Sequence, residues 1–318
     1  MTINYLILAH TNPFQVKKMV VALNQENTRF YVHIDLKTNP FPFREALKDF
    51  SNLYLIPEGQ REHCNWGGIG IVKATLTMLK RVADSDKNGY SILLSGQDYP
   101  IRNGDYIKSF FQKNAGVDFI SSFPLPTPYW TNGGKDRIHW YKIDLSDKRG
   151  DFVQLPSFQS KEFYSLGSLK KLLKLTIRKK GREIKTLLPS KTFPAYIIPY
   201  GGDTWWALGP ETTSKILTFL KDHPDLLRYM EHSNLPDEML FQSLVWEIHK
   251  ESPNKIKHSL TYANWSGKDE PSPRFITAED IQKIKDLPDD YLFARKFDLD
   301  RNPEILNQIE KEVWTIQK

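Results

Sequence analysis

YLILAHTNPFQVKKMVVAL, residues 5–23, decides the fold. Tyr5 to Ala9 is a short apolar run of strand type. Asn12 and Pro13 then supply a helix N-cap and a first helical residue, and Val16, Met19, Val20 and Leu23 recur at helical spacing. A strand that feeds a helix through a tight polar turn is one βα unit, and the pattern repeats downstream. FYVHI (30–34), NLYLI (52–56) and YSILL (90–94) read as further strands, and Ile69, Val72, Leu76, Leu79 and Val82 mark one face of a helix. A helix near 104–113 and the strand-like VDFI at 117–120 follow. Strands alternating with helices predict an α/β fold with a mainly parallel central sheet covered on both faces.

The pattern weakens from 123 to 200, where Pro124, Pro126, Pro128, Pro156, Pro189, Pro194 and Pro199 interrupt it. This stretch reads as an irregular insertion with a few helices, either a mobile lid or a plain excursion. Regularity returns at YGGDTWWALGP (200–210), a strand ending at Gly209, after which Pro210 opens a helix to about Lys221. A second helix is expected to open at Pro236 and to carry Met239, Leu240, Leu244 and Val245. Thr277 with Asp280 resembles a capping box, and Asn302 with Pro303 opens the last helix.

The chain has 318 residues, enough for one large domain or two small ones, and 40% hydrophobic with 26% charged residues is an ordinary globular composition. Aromatics reach 13%, a surplus that fits a saccharide-facing surface. The lone cysteine, Cys64, excludes an intramolecular disulfide and a Cys-rich zinc site, and suggests a reducing compartment. The opening MTINYLILAH has no basic leader before a long apolar stretch, and the longest apolar runs are far short of a membrane span, so neither signal peptide nor anchor is expected. Net charge is +6, but residues 169–185 (LKKLLKLTIRKKGREIK) hold a local +7, leaving −1 for the rest. A neutral protein with one basic segment argues against a general nucleic-acid binder. That segment, with Leu169, Leu172, Leu173 and Ile177 at near-helical spacing, reads either as a solvated surface helix or as a patch for anionic lipid headgroups.

Ligands of open α/β sheets bind outside the carboxyl ends of the strands. His10, Asp35 and Asp98 stand at three such ends, as ligand groups or as loop caps. Nucleotide-sugar transferases that use a divalent cation often place two carboxylates one residue apart near such an end. Here the residues two away from Asp98 are Gly96 and Pro100, and the Asp298–Asp300 pair reads as surface charge, so no metal is expected. Glu238 in PDEMLFQSLVWE is the candidate base; the competing reading is a first-turn acid that complements the helix dipole. Arg274 and Lys296 lie outside the basic segment, as exposed charges or as cations for a departing diphosphate. WGGIG (66–70) lacks both phosphate-loop signatures and reads as a tight turn with close packing. Trp205 and Trp206 belong to the core by default, although Gly201 and Gly202 would let a sugar approach the backbone beside an indole wall.

YLILAH, VHIDLK, NWGGIGIVKATLTML, ILLSGQDYPI, YGGDTWWAL, LPDEMLFQSL, NWSG and FARKFD, in this order from residue 5 to 298, resemble the core-2/I-branching N-acetylglucosaminyltransferase and peptide O-xylosyltransferase family, glycosyltransferase family fourteen. The resemblance implies a GT-A-like fold, an inverting reaction and activity without a bound metal. It sets Glu238 where the branching enzymes have their general base, Arg274 and Lys296 where the donor diphosphate is held, and His10 and Asp35 at the nucleoside end. The xylosyltransferases are similar around GGDTW but use an Asp immediately before the Trp, where this chain has Thr204 with Asp203 one residue earlier; this favours the branching-type assignment. The family's animal members carry an anchor and disulfides, so the chain looks like a bacterial relative.

Together these readings set out a single GT-A-like domain over 1–318, with a nucleotide-binding βα half (1–122), the insertion (123–198) and an acceptor and catalytic half (199–318). The expected activity is transfer of a sugar, N-acetylglucosamine first, from a UDP-sugar to a saccharide hydroxyl in surface polysaccharide synthesis. Glu238 is the expected base; His10, Asp35, Asp98, Arg274 and Lys296 hold the donor; Arg137, Asp203 and Trp205 form the acceptor side. The expected partners are the UDP-sugar, a free or lipid-linked saccharide and an anionic membrane surface, with no nucleic acid, in the cytoplasm or on the inner membrane face. The alternatives are a xylosyltransferase-like or other UDP-sugar enzyme and a non-catalytic saccharide binder on the same fold.

Overall fold

The computed structural model describes residues 1–85, 89–265 and 273–314. The first half runs β1 (Thr2–Ala9), α1 (Pro13–Leu23), β2 (Thr28–Ile34), α2 (Phe41–Leu47), β3 (Leu53–Leu55), α3 (Ile69–Ala83), β4 (Gly89–Ser95), β5 (Asp98–Pro100), α4 (Gly104–Lys113) and β6 (Asp118–Pro124). The insertion holds α5 (Lys135–His139), β7 (Trp140–Asp144), β8 (Phe152–Pro156) and α6 (Leu166–Ile177). The second half follows with β9 (Tyr200–Leu208), α7 (Pro210–Asp222), α8 (Pro224–Met230), α9 (Leu240–Ile248), β10 (Ile256–Lys257), β11 (Thr261–Ala263), α10 (Ile281–Lys285), β12 (Phe293–Arg295) and α11 (Ile305–Glu312).

The main sheet has the order β10-β6-β9-β4-β1-β2-β3. All its pairings are parallel except those of β9, which runs antiparallel to both β4 and β6. The α/β, mainly parallel expectation is met. Both faces are covered, which is why β1 and β4 read as continuous apolar runs rather than alternating ones. Tyr5 and Ile7 point to one side, where they join Val16, Met19 and Phe111; Leu6 and Leu93 point to the other, with Val72, Leu79, Trp206 and Phe241. A second, three-stranded sheet, β11-β12-β5, sits beside the carboxyl end of β4. In it Arg295 pairs with Asp98, so the C-terminal segment is delivered to the end of a central strand.

The insertion is more regular than its prolines suggested. Strands β7 and β8 form an antiparallel hairpin, α6 packs on it, and Tyr141, Ile143, Val153, Leu155, Leu175 and Leu187 make a small core of their own. Each hairpin strand is only five residues long, and Pro156 ends the second, so the period-two signal was brief.

One expected helix start is corrected. Pro236–Glu238 is a separate 3₁₀ turn, entered through a left-handed Leu235 (φ 54°), and α9 begins only at Leu240. The break falls at Met239, whose φ of −131° is not helical. Glu238 therefore does not sit in the first turn of α9, and the helix-dipole explanation for it does not apply.

Candidate active site

Glu238 is held by its turn: its backbone N–H donates to Leu235 O at 3.1 Å, and Met239 N–H donates to Pro236 O at 3.2 Å. Its side chain is 23% exposed and meets Arg137, in the middle of α5, with Nη1 2.5 Å from Oε2. The Arg137 guanidinium lies 3.5 Å from the centre of the Trp130 ring, so an aromatic face fixes the cation that faces the carboxylate. Burial, and then the neighbouring Asp237 charge, push the Glu238 carboxyl up to about 7, against the opposing pull of Arg137. Asp237 itself is buried; its Oδ2 accepts from Thr204 Oγ1 at 2.7 Å, and burial raises its pKa too.

Behind Arg137 lies Lys191. Its ammonium is 5% exposed by residue, donates to Arg137 O at 3.0 Å and to Ser233 Oγ at 2.9 Å, and packs over the Tyr229 ring. Burial brings its pKa down to about 7. Neither Lys191 nor Trp130 was singled out in the sequence, because nothing local distinguishes them.

Asp203 is the link between this end and the other. Its negative charge is felt by Glu238, burial raises its own pKa, and the Arg295 charge opposes that rise. Its backbone carbonyl accepts from Gln242 Nε2 at 2.6 Å. Trp205 and Trp206 part as a strand requires: Trp206 is 2% exposed in the core, whereas Trp205 is only partly buried and carries the Arg295 guanidinium 3.8 Å from its ring centre. Gly201 and Gly202 do not open room for a sugar. A Cβ on Gly202 would lie 1.8 Å from Ser121 O and one on Gly201 2.4 Å from the Trp130 ring, so protein fills both spaces. The tight-packing reading of WGGIG agrees with the structure, since a Cβ on Gly70 would meet His63 O at 2.1 Å.

Arg295 and Lys296 form the second end. Arg295 is buried, with Nε 3.5 Å from Asp98 Oδ1. Asp98 is fully buried, accepting from Ser95 N at 2.7 Å and Ser95 Oγ at 2.9 Å. Its expected direct contact with a donor is corrected: a side chain with no exposed surface touches no ligand, and what it holds is the turn after β4 and Arg295. Lys296 is partly exposed, and burial followed by the charges of Arg295 and Arg149 brings its ammonium down to about 8. His10 is exposed at the end of β1; surrounding protein lowers its pKa, Asp35 opposes that, and Lys296 and Lys37 add to it. Asp35 caps its own loop, accepting from Lys37 N at 2.9 Å, while buried Arg61 binds the Ile34, Asp35 and Thr38 carbonyls. Arg274 adjoins Lys296 through the backbone, since Ile276 N–H donates to Lys296 O at 2.7 Å. Its guanidinium is paired with Asp280, the acid of the Thr277 capping box, which forms as expected. Of the NWSG motif, Ser266 and Gly267 lie outside the described residues. Asp298 pairs with Arg301 at 3.3 Å and Asp300 accepts from Asn12 at 3.1 Å. Among the described residues no group of three or more His, Cys, Asp or Glu is arranged to hold a metal ion.

The structure thus brings together a carboxylate of raised pKa, a partly exposed indole and a cationic strand edge, on an α/β sheet at the carboxyl ends of its strands. Ligands of open α/β sheets bind outside this end of their strands. Residues 3–153 match the family model described as Core-2/I-Branching enzyme. The chain's curated relatives include Xylosyltransferase 2 of Rattus norvegicus, 22% identical over 333 residues that cover 98% of this chain and 34% of that protein. Xylosyltransferase 1 of Homo sapiens is 21% identical over 316 residues, covering 93% of this chain and 28% of that protein. The chain therefore spans about a third of the length of the curated relatives it matches. Among solved structures, mouse xyloside xylosyltransferase 1 in its apo form aligns with a TM-score of 0.33 and 9% identity, covering 83% of this chain and 89% of that one.

Proposed function

We propose that the chain is an inverting glycosyltransferase that moves a sugar from a UDP-sugar, N-acetylglucosamine first, to a saccharide hydroxyl without a metal ion. The single observation that carries this reading is Glu238, partly exposed beside Arg137 with its pKa raised to about 7, where a general base is most effective at neutral pH. Glu238 takes the proton of the acceptor hydroxyl as that oxygen forms its bond to the anomeric carbon. The bond from that carbon to the diphosphate breaks, the electron pair leaves with UDP, and attack from the opposite face inverts the centre. Lys296, with Arg274 beside it, offsets the charge that builds on the diphosphate. His10 and Asp35 flank the nucleoside end. Asp98 acts through Arg295, which in turn backs Trp205. A surface-glycan acceptor enters on the side of Arg137, Asp203 and Trp205.

A second reading has a specific observation in its favour: the curated relatives are named xylosyltransferases, and Asp203 lies in electrostatic reach of Glu238. In that reading the donor is UDP-xylose and Asp203 is the base. Glu238→Gln and Asp203→Asn separate the two. On the first, Glu238→Gln abolishes transfer while UDP still binds, and Asp203→Asn retains turnover; the reverse outcome installs Asp203. Turnover unchanged by EDTA supports the metal-free mechanism, and loss of it on chelation with restoration by Mn²⁺ overturns that part.

A further inference from the structure

Helix α6 has two apolar faces where a surface helix needs one. Its inward face is made by Ser168, Leu172 and Leu175, which pack on the β7–β8 hairpin. On the opposite side Leu166, Leu169, Leu173 and Ile177 are 80%, 50%, 61% and 70% exposed. At 100° per residue these four fall within one narrow stripe along the helix. Single exposed leucines are ordinary, but a continuous stripe on one helix marks a surface built to be covered.

The charge around the stripe says what covers it. Lys174 and Arg178 are directed to Asp151, and Lys171 reaches back to Gln154 O. Lys170, Lys179, Arg182 and Lys185 are exposed, with no ion pair among the described residues. A second copy of the chain docked on this stripe would set two segments of local charge +7 against each other. A nucleic acid would meet the cations but leave the leucines without a partner. An anionic bilayer satisfies both, with headgroups against the lysines and the acyl boundary against the apolar side chains.

We propose that α6 is an interfacial helix that seats the protein on an anionic lipid surface. Lys171 also lies over the Trp140 ring, three residues beyond Arg137, so this seat adjoins the Arg137 edge of the site. The proposal stands whether or not the transferase reading does, because its readout is lipid binding alone.

The test is vesicle flotation of the full chain on equal parts phosphatidylglycerol and phosphatidylcholine, against phosphatidylcholine alone. Binding is expected to the anionic vesicles only, and to weaken with added salt. Leu173→Gln with Ile177→Gln, both on the exposed face, should weaken it about tenfold or more. Lys170→Gln with Lys179→Gln should weaken it as well, and unchanged thermal unfolding shows that both variants fold. No binding to anionic vesicles overturns the proposal, as does wild-type binding by the Leu173/Ile177 variant. A monomer–dimer equilibrium lost in that variant, without vesicle binding, makes the stripe a subunit interface instead. Salt-sensitive oligonucleotide binding with no vesicle binding makes the segment a nucleic-acid contact.

Discussion

Replacing Arg137 by Met tests whether the ion pair sets the proton affinity of Glu238. The substitution keeps an apolar stem against Trp130 and removes the charge 2.5 Å from Glu238 Oε2, in a pair whose side chains are 15% and 23% exposed. At an effective dielectric near 20, unit charges about 4 Å apart attract by about 4 kcal/mol, and an adjacent arginine lowers a carboxyl pKa by about 1–3 units in practice. Burial and Asp237 already hold Glu238 at about 7 with the arginine present. Without it the pKa should rise to between about 8 and 10. The ionised fraction at pH 7 then falls from about half to about a tenth or less, so a rate that needs the carboxylate drops about fivefold or more from titration alone. Release of UDP from UDP-N-acetylglucosamine and UDP-xylose, followed across pH, is the assay. The acidic limb of kcat/KM should move to higher pH by one unit or more, with recovery in base, and Arg137→Lys should restore most of the parent profile. A lowered plateau at an unmoved midpoint would refute the reasoning and assign Arg137 to substrate contact alone.

The same carboxyl links stability to pH. Its folded pKa lies above the ordinary 4.5, so the folded chain binds the proton more tightly than the unfolded one, and this contribution is present below pH 4.5 and lost as pH rises to about 7. The melting difference between Glu238→Gln and the parent should therefore grow in the variant's favour across that window, reaching about 1–3 kcal/mol by neutral pH; a difference flat with pH would contradict it. Lys296, brought down to about 8, loses its charge above that pH. UDP affinity measured by calorimetry should fall as pH passes 8 in the parent, and Lys296→Met should be weak throughout with that pH step removed. Gly202→Ala sets a methyl carbon 1.8 Å from Ser121 O and must part β6 from β9. It should lower stability by about 3 kcal/mol or more in denaturant titration, and a neutral effect would mean that the pairing there yields.

What the sequence made legible is what local physics determines. Asn12 caps α1 as read, its Oδ1 accepting from Gln15 N at 3.0 Å, because capping needs only residues three apart. The Thr277–Asp280 box and the Pro210 helix were readable for the same reason. Glu238 stood out as a carboxylate locked by proline, although the turn that holds it is 3₁₀ and ends at Met239 rather than running on into α9. Its partner is 101 residues away, and that separation hides the pair: no window of sequence contains both Arg137 and Glu238. Lys191 and Arg295 were passed over because a buried lysine or arginine looks like a surface one until tertiary packing encloses it. The α6 stripe was seen as helical spacing, but the sequence could not say which of its leucines face outward, since Leu172 and Leu175 also fit the pattern.

The site is assembled by strand pairing rather than by any one segment. Strand β9 runs against its neighbours, so its Asp203 and Trp205 reach the sheet edge from the direction opposite to β4. The pairing of β12 with β5 then lays Arg295 across from Asp98 and leaves Lys296 as the next residue beyond the ladder. Ile276 N–H closes on Lys296 O, which brings the Arg274 backbone to the same edge. Asp98 is the hinge of this arrangement: it is fully buried, and burial raises its pKa while Arg295 and Ser95 oppose the rise. Removing its carboxylate leaves the buried Arg295 beside Trp205 with only the weaker influence of Asp203 to offset its charge, and poorly compensated buried charge is among the costliest states a fold can hold. Asp98→Asn should therefore weaken both UDP binding and acceptor use, although Asp98 touches neither ligand, and should do so with a loss of stability of about 3 kcal/mol or more. Loss of UDP binding with acceptor use and stability intact would show instead that Asp98 meets the donor itself.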